Sequence, residues 1–408
     1  MFALSLLPFI FSLLLVILCL GALWFSGYTL YAALDYLSHQ DGTLNPDFQP
    51  PITVFKPLHG LQPNLAANLA SFCQQDYDGG YQIIFAIQHA TDPSVAVVRD
   101  LIQQFPEQDI QLVVTERGVG NHSKMNHLAS AATWAKYDLW IVADSNIRVG
   151  HDYLQQVVQP LRYPGVGVVT CPYRLQVAGR QIMAALGSAT DLHPRMLAAQ
   201  KREGLSFAIG QTVVIRKIVL EKIGGFSALA GFLADHGSVN RSMTSEFSKL
   251  LSQVGYRACL SPYVVEQQQL DEQQETTWLS HVFQQLPCVQ QYSSLWQHGA
   301  GIMMHGTVLG LLLLLVTSGA IWGWVMLGLI WAARLFVVRV VSIGWLKDYT
   351  TRDYWWLLPV YDLLSFGIWC WGFVGASEWQ EQPFQLRSED EAPIAEPQES
   401  YVAVLEKI

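Results

Sequence analysis

Acidic and amide side chains directly follow one predicted strand, in a pattern that suits a divalent cation. Asp144, Ser145 and Asn146 come immediately after the apolar run Leu139–Ala143. A carboxylate beside other oxygen ligands can hold Mg²⁺ or Mn²⁺, and such an ion keeps several waters and bridges to substrate phosphates. Because the same residue types are common in turns and helix caps, a purely structural role is the alternative.

Two further polar residues, Asp92 and Lys124, stand where a parallel sheet would bind a ligand. Asp92 follows the predicted strand Gln82–Ile87 after a short loop, so its carboxylate could contact a nucleotide base or ribose. The alternative is an Asp-Pro turn at the start of a helix. Lys124 opens a predicted helix whose free N–H groups favour an anion, and the alternative there is a solvated surface lysine.

The elements that must position these side chains alternate between strand and helix over residues 46–295. Short apolar runs predict strands at 52–55, 82–87, 109–115, 139–143 and 166–171. Helix-like stretches lie between them at 65–73, 95–105, 123–135 and 153–161. This order predicts an α/β domain with a mostly parallel sheet covered on both faces. No GxGxxG or P-loop motif occurs in that context, which argues against those two kinds of nucleotide site.

The chain of 408 residues is too apolar to be wholly soluble. Hydrophobic residues make up 51% and charged residues 14%, whereas soluble domains carry about 25% charged residues. Residues 3–34 hold no charged side chain, and we interpret residues 1–40 as an uncleaved transmembrane anchor. A signal peptide is the alternative, but it would need a basic start, and the first basic residue is Lys56.

A second apolar region, residues 300–375, predicts about three more transmembrane helices. The block from Ile302 to Trp345 is long enough for two helices with a turn near 318–322, and Tyr354–Val374 suits a third. Asp362 inside the last block is expected to pair with a neighbouring helix or to reach the interface, and a contact with an acceptor headgroup is the alternative. Basic residues between these blocks predict that the domain at 46–295 lies in the cytosol, on an inner (cytoplasmic) membrane.

The charge of the chain argues against a nucleic-acid partner. Its net charge is −9, and a nucleic-acid binder needs a basic surface. Residues 376–408 carry eight acidic and two basic residues, and they predict an acidic, disordered tail. The six cysteines form no CxxC pair, so the sequence predicts neither a disulfide framework nor a zinc site.

Several ordered stretches carry a resemblance to a known family. They include Val54–Gly60, Gly118–Leu128, Tyr137–Val149, His193–Arg195 and Leu260–Glu266. Together with the anchor and the C-terminal spans, they make residues 1–380 similar to membrane-anchored family-2 glycosyltransferases of the ceramide glucosyltransferase type. The hopanoid-associated glycosyltransferases of bacteria share the same series.

The resemblance implies a GT-A fold that takes a hexose, typically glucose, from a UDP-sugar and passes it with inversion to a membrane lipid hydroxyl such as that of ceramide. By the same resemblance, Asp92 would lie beside the uridine, Lys124 would belong to the donor side, and Asp144 would bind the metal ion or the diphosphate. His193 and Arg195 match a His-Pro-Arg motif and would lie at the acceptor or membrane interface. The alternative for His193 is a histidine that merely starts a helix.

Two departures from the family pattern concern catalysis. The family places an acidic pair before a helix and uses the second acid as base; here Asp235 matches the first acid and His236 occupies the base position. The family's Arg-Trp motif is missing from His281–Gln290. Either His236 acts as the base, or Asp235 has taken over, or the domain binds nucleotide-sugar or lipid with impaired or absent turnover.

Three other classes of function are alternatives. A polysaccharide synthase-like transferase shares the fold but needs the Arg-Trp helix. A non-catalytic membrane scaffold would not need the set of Asp92, Lys124 and Asp144. A transporter is disfavoured by four predicted spans with a single internal acid, Asp362.

Overall fold

The computed structural model describes the chain at residues 2–39, 44–115, 123–177, 181–203, 205, 211–226, 250–268, 301–374 and 402–404. Its helices are α1 (Phe2–Ser38), α2 (Leu65–Cys73), α3 (Ser94–Gln104), α4 (Ser123–Ala131), α5 (Tyr153–Val158), α6 (Ile182–Gly187), α7 (His193–Glu203), α8 (Lys217–Lys222), α9 (Gly306–Val316), α10 (Ile321–Val337), α11 (Tyr349–Tyr354) and α12 (Leu358–Val374). Its strands are β1 (Ile52–Pro57), β2 (Tyr81–Ile87), β3 (Asp109–Thr115), β4 (Leu139–Ala143), β5 (Ile147–Arg148), β6 (Val166–Thr170), β7 (Tyr173–Gln176), β8 (Thr212–Arg216), β9 (Arg257–Leu260), β10 (Val265–Gln268) and β11 (Val402–Val404).

The main sheet of the described residues has eight strands in the order β11-β3-β2-β1-β4-β8-β6-β9. Strands β3, β2, β1 and β4 are mutually parallel, as are β6 and β9, whereas β8 runs antiparallel to both of its neighbours. All residues of β2 and β4 are buried, as expected for strands of a sheet covered on both faces. The predicted α/β class with a mostly parallel sheet is confirmed.

Most predicted elements of this domain appear where the apolar runs place them. The strands at 109–115 and 139–143 and the helix at 65–73 have the predicted bounds. The helices predicted at 123–135 and 153–161 end earlier, and the chain continues as the tighter 3₁₀ turns Ala132–Trp134 and Gln159–Arg162. The antiparallel strand β8 was not predicted. It is buried as Thr212–Ile215 between β4 and β6.

A second sheet of three strands, β5-β10-β7, stands beside the carboxyl end of β4. Ile147 of β5 pairs with Gln267 of β10, and Val265 of β10 pairs with Tyr173 of β7. The backbone N–H of Gln268 also donates to the carbonyl of Asn146 at 2.9 Å. The segment that follows β4 is therefore fixed to β7 through β10.

In the part of the chain that the structure describes, two helices are long and apolar enough to cross a membrane, Phe9–Ser38 and Ile321–Trp345. The second consists of α10 and a π-helical continuation, Val338–Trp345. Large apolar side chains are exposed along both, for example Phe9 and Trp24 on α1 and Trp324 on α10. Helices α9 and α12 occupy the other two blocks predicted as spans, and the turn between α9 and α10 falls at 317–320, close to the predicted 318–322.

The membrane helices are bonded directly to the α/β domain. The Tyr36 hydroxyl of α1 donates to the carbonyl of Ser261 at 2.9 Å, and Asp35 accepts from Lys201 of α7 at 2.8 Å.

A second set of hydrogen bonds connects the domain to the C-terminal helical region. A guanidinium N–H of Arg174 donates to the carbonyl of Leu346 at 3.4 Å. The Ser342 hydroxyl donates to the carbonyl of Ala189 at 2.8 Å. Ala189 belongs to a second π-helical segment, Ser188–Leu192, which lies between α6 and α7. The two π segments thus meet where the domain and the helices join.

Candidate functional site

Asp144 lies half-buried at the carboxyl end of β4, next to the carboxyl end of β1. Its backbone N–H donates to the carbonyl of Gln211 at 2.9 Å, and its own carbonyl accepts from Ile147 at 3.2 Å. Two neighbouring elements therefore hold the backbone on either side of this carboxylate. In α/β folds, ligands bind at the carboxyl ends of the parallel strands, which is where Asp144 lies.

A buried lysine, Lys56, fixes the same backbone from β1. Its ammonium donates to the carbonyl of Asp144 at 2.9 Å and lies 3.6 Å from the centre of the Phe72 ring. The side chain is fully buried. Burial lowers the pKa of Lys56 to about 7, although the nearby Asp144 partly opposes that shift.

The sequence analysis did not single out Lys56 as a site residue. Lysine is almost never fully buried without a partner. A lysine directly after the strand residues Ile52–Phe55 is therefore a sequence feature that indicates a buried lysine with a specific role.

The side chain of Asp92 links the loop after β1 to the start of α3 through hydrogen bonds. Its carboxylate accepts hydrogen bonds from the Gly60 N–H at 3.0 Å and from the N–H and hydroxyl of Ser94 at 2.8 and 2.6 Å. His59 lies 4.0 Å from the same carboxylate. Burial raises the pKa of Asp92, but the bonds from Ser94 and Gly60 outweigh it and leave the pKa below its ordinary value.

The oxygen groups around Asp144 fit a metal ion that is held mainly by its substrate. The Oδ1 atom of Asn146 is buried and has no hydrogen-bond partner among the described residues. The Ser145 hydroxyl donates to Gln62 at 2.8 Å. Among the residues that the structure describes, no cluster of three His, Cys, Asp or Glu side chains could hold a metal ion. Mg²⁺ commonly binds through one or two carboxylates, water and phosphate oxygens.

Of the remaining predicted donor-side and catalytic residues, the structure describes only Lys124. Lys124 is the second residue of α4, as predicted, and α4 packs against β1, β2 and β3. Asp235, His236 and the stretch His281–Gln290 lie outside the described residues, so their roles stay predictions.

His193 is fully buried at the start of α7, and both of its ring nitrogens are used. Nδ1 lies 2.7 Å from the carbonyl of Ser188, and Nε2 accepts from the Tyr173 N–H at 3.1 Å. Burial lowers the pKa of His193 to about 4, so the ring is neutral at physiological pH. The side chain therefore joins the second sheet to the π segment, and its predicted role at the acceptor or membrane interface stays a prediction.

Close to His193, a charged cluster joins the π segment to the membrane helices. The Arg334 guanidinium of α10 pairs with Asp191 at 2.7 Å and with Asp362 of α12 at 3.0 Å. The Tyr361 hydroxyl donates to Asp191 at 2.8 Å. Burial raises the pKa of Asp191, but the charges of Arg334 and Arg195 outweigh it, and the pKa lies below its ordinary value. The expected pairing of Asp362 with a neighbouring helix is confirmed.

Comparison with known sequences decides the family. The sequence matches the family described as "Glycosyl transferase family 21" over residues 14–392. The chain belongs to glycosyltransferase family 21. The predicted resemblance to ceramide glucosyltransferases is confirmed by its relatives.

Ceramide glucosyltransferase 3 of Caenorhabditis elegans is 25% identical over 257 residues, which are 62% of this chain and 52% of that protein. The ceramide glucosyltransferase of Candida albicans is 31% identical over 118 residues, 26% of this chain and 22% of that protein. This family 21 chain thus spans about half the length, or less, of the curated relatives it matches.

Solved structures show more distant likenesses. A mannosyltransferase from Pyrobaculum calidifontis in complex with GDP-Man and Mn²⁺ has a TM-score of 0.44 at 16% identity, covering 87% of this chain and 99% of that one. Glucosyl-3-phosphoglycerate synthase from Mycobacterium tuberculosis, with Mn²⁺ and UDP, has a TM-score of 0.37 at 12% identity, covering 61% and 81%. The assignment to family 21 rests on the sequence match alone.

Proposed function

We propose that this family 21 enzyme transfers a hexose, with glucose as the first candidate, from a UDP-sugar to a hydroxyl group of a membrane lipid such as ceramide. The observation that carries the proposal is the position of Asp144 at the carboxyl end of β4, with its backbone held by the buried Lys56. The sequence match to ceramide glucosyltransferases and the apolar helices support a lipid acceptor.

On the donor side, Asp92 and Lys124 bind the nucleotide part and Asp144 faces the diphosphate. Mg²⁺ or Mn²⁺, held by Asp144 with phosphate oxygens and water, would neutralise charge on the leaving diphosphate. Lys56 keeps the Asp144 backbone in place through its 2.9 Å hydrogen bond. The first turn of α4 favours an anion because its N–H groups are not used within the helix.

On the acceptor side, a base must take the proton of the lipid hydroxyl as that oxygen attacks the anomeric carbon. Asp235 and His236 are the candidates for that base. An inverting transfer needs this single displacement, in which the bond to the diphosphate breaks as the new glycosidic bond forms. The α/β domain lies on the cytosolic face of the membrane, where nucleotide sugars are available.

An assay with labelled UDP-glucose tests this proposal. Membranes that contain the full chain are incubated with ceramide and Mn²⁺, and labelled lipid is quantified. We expect a glycolipid product, and a loss of about 100-fold or more in Asp144→Asn, since the metal ion that Asp144 would hold offsets the diphosphate charge in the transition state. Asp138→Asn is the matched control, because Asp138 precedes β4 and its side chain is 89% exposed. Absence of labelled lipid with every acceptor and donor tried, in a chain that still binds UDP, contradicts the proposal.

A further inference from the structure

A pocket opens where α1, α9, α10 and α12 meet the segment that contains Asp191 and Arg195; we name it the junction pocket. Its polar lining includes Ser26 of α1, Thr307 of α9, Arg334 of α10 and Asp362 of α12. The donor site described above uses none of these residues. Charged side chains among membrane helices are costly to keep and commonly mark a binding site.

Among the described residues, the charges at the junction pocket balance. Two carboxylates, Asp191 and Asp362, face two guanidinium groups, Arg334 and Arg195, and Arg334 bonds both acids. A ligand that carries net charge would upset this balance, because its charge would be left uncompensated in a buried site. An uncharged head with hydroxyl and amide groups would exchange hydrogen bonds with both kinds of side chain.

The pocket also holds a donor that the protein leaves unused. The Nε atom of Arg334 is buried and has no hydrogen-bond partner among the described residues. The other guanidinium nitrogens donate to Thr190, Asp191 and Asp362. A buried N–H without a partner is costly unless a ligand or water accepts from it.

The rest of the lining suits the upper part of a lipid chain. Phe25, Met303, Ile330 and Val337 line the pocket beside the polar groups. Apolar side chains such as Trp24 on α1 and Val325 on α10 are exposed on the helices that border it. An amphiphile could thus place its head among the charges and its chains along the outer face of α1 and α10.

A continuous set of bonds links the junction pocket to the donor site. Asn146, two residues after Asp144, bonds to Gln268 of β10, and β10 pairs with β7. Tyr173 of β7 donates to His193, which directly follows the π segment that contains Asp191. Single π turns occur often at functional sites. The pocket and the donor site therefore belong to one connected unit.

We propose that the junction pocket binds the headgroup of the acceptor lipid, an uncharged head that carries hydroxyl and amide groups. The identity of that lipid as the acceptor rests on the proposed function. The headgroup accepts from Arg334 Nε and donates to the carboxylates, with its chains on the apolar side of α1.

The test uses the full chain in phosphatidylcholine nanodiscs with a photoreactive ceramide. We expect cross-links at residues 301–307 of wild-type protein, and a loss of at least tenfold in Ser26→Leu, which fills the pocket from α1. Ser26→Leu should also raise the acceptor KM at least tenfold while UDP binding and the donor KM stay unchanged. Gly27→Leu is the matched control, because Gly27 is the next residue, is exposed and has no atom within 4 Å of a built Cβ.

A second variant keeps the proposal testable if Ser26→Leu does not fold. Arg195→Gln removes one positive charge from a half-buried position, and we expect weaker labelling with unchanged UDP binding. Labelling that survives Ser26→Leu, or that is displaced by phosphatidylglycerol rather than by unlabelled ceramide, overturns the proposal.

The same experiment separates this inference from the proposed function. If glycolipid forms but Ser26→Leu leaves the acceptor KM unchanged, the headgroup assignment fails and the transfer stands. If the pocket is labelled but no glycolipid forms with any UDP-sugar, the proposed transfer fails while binding of the head stands.

Discussion

The ammonium group of Lys56 donates a hydrogen bond of 2.9 Å to the backbone carbonyl of Asp144. The two residues end adjacent parallel strands, β1 and β4. The bond therefore ties the carboxyl end of one strand to the acid that follows the other. It makes a fully buried lysine part of the support for the carboxylate that we propose as a donor-site residue.

Replacing Lys56 by Met tests that support. We expect activity and apparent Mn²⁺ affinity to fall about 10- to 100-fold, the range seen when groups that orient metal ligands are removed. The readout is the Mn²⁺ concentration at half-maximal rate together with kcat. Lys136→Met is the matched control, since the Lys136 side chain is 50% exposed and pairs with Asp109 far from Asp144. Equal losses in both variants would contradict a role for Lys56 in positioning.

Acid should destabilise the chain through His193. Its pKa is about 4 in the folded protein, against about 6.5 in an unfolded chain. Between these values the unfolded state binds more protons, so stability rises with pH through that window and is lost as pH falls from 6.5 towards 4. The difference corresponds to about 3 kcal/mol. Thermal unfolding of His193→Gln should show a flatter pH dependence than the wild type, whereas the exposed His151→Gln should not.

Asp92 can be tested for two roles at once. Asp92→Ala removes the acceptor of bonds from Gly60 and Ser94, and we expect it to lower the free energy of unfolding by about 1 kcal/mol, as losing a helix cap does. Asp92→Asn keeps an acceptor oxygen and should be nearly as stable as the wild type, yet bind UDP about tenfold more weakly. Calorimetric UDP binding and thermal unfolding of both variants check this. Normal UDP binding in a folded Asp92→Asn protein would leave only the structural role.

The base should be revealed by comparing Asp235→Asn with His236→Gln. Loss of the true base is expected to lower kcat about 100- to 10,000-fold, while loss of its neighbour should mainly change KM. If His236 is the base, the rate should also fall as pH drops through the range in which an imidazole is protonated. Single-turnover rates with saturating donor measure the chemical step. Near-normal rates in both variants would exclude both residues.

Close packing between α6 and α12 depends on a glycine. A Cβ at Gly187 would lie 2.7 Å from the Tyr361 hydroxyl, which bonds Asp191. We therefore expect Gly187→Ala to destabilise the protein by about 1–3 kcal/mol through overpacking. Gly328→Ala on α10 is the control, because a Cβ there meets no atom within 4 Å. Thermal unfolding in detergent measures both, and equal stability of the two variants would argue against this contact.

Local patterns were enough to predict the parallel half of the domain. Runs such as Leu139–Ala143 are apolar throughout, so length and composition fix both the strand and its bounds. The antiparallel strand β8 escaped prediction because its direction and its place between β4 and β6 depend on partners far away in the sequence.

The same limit applies to the site. Asp144 and Asp92 could be predicted from their positions after strands, whereas the bond from Lys56 depends on two strands meeting 88 residues apart. His193 was expected at the acceptor interface. Its ring nitrogens bond Ser188 and Tyr173, contacts that only the folded chain reveals, and its role at the acceptor interface stays a prediction.

Hydrogen bonds of Tyr36, Lys201 and Arg174 fix the position of the α/β domain relative to the apolar helices. They connect the α/β domain to α1 and to the C-terminal helices at separate points, and so they oppose a rotation of the domain against those helices. For the membrane-bound transferase proposed above, the donor site would then lie at a constant distance from the hydrocarbon. An enzyme built in this way selects a hydroxyl by its depth in the membrane as well as by its chemical surroundings.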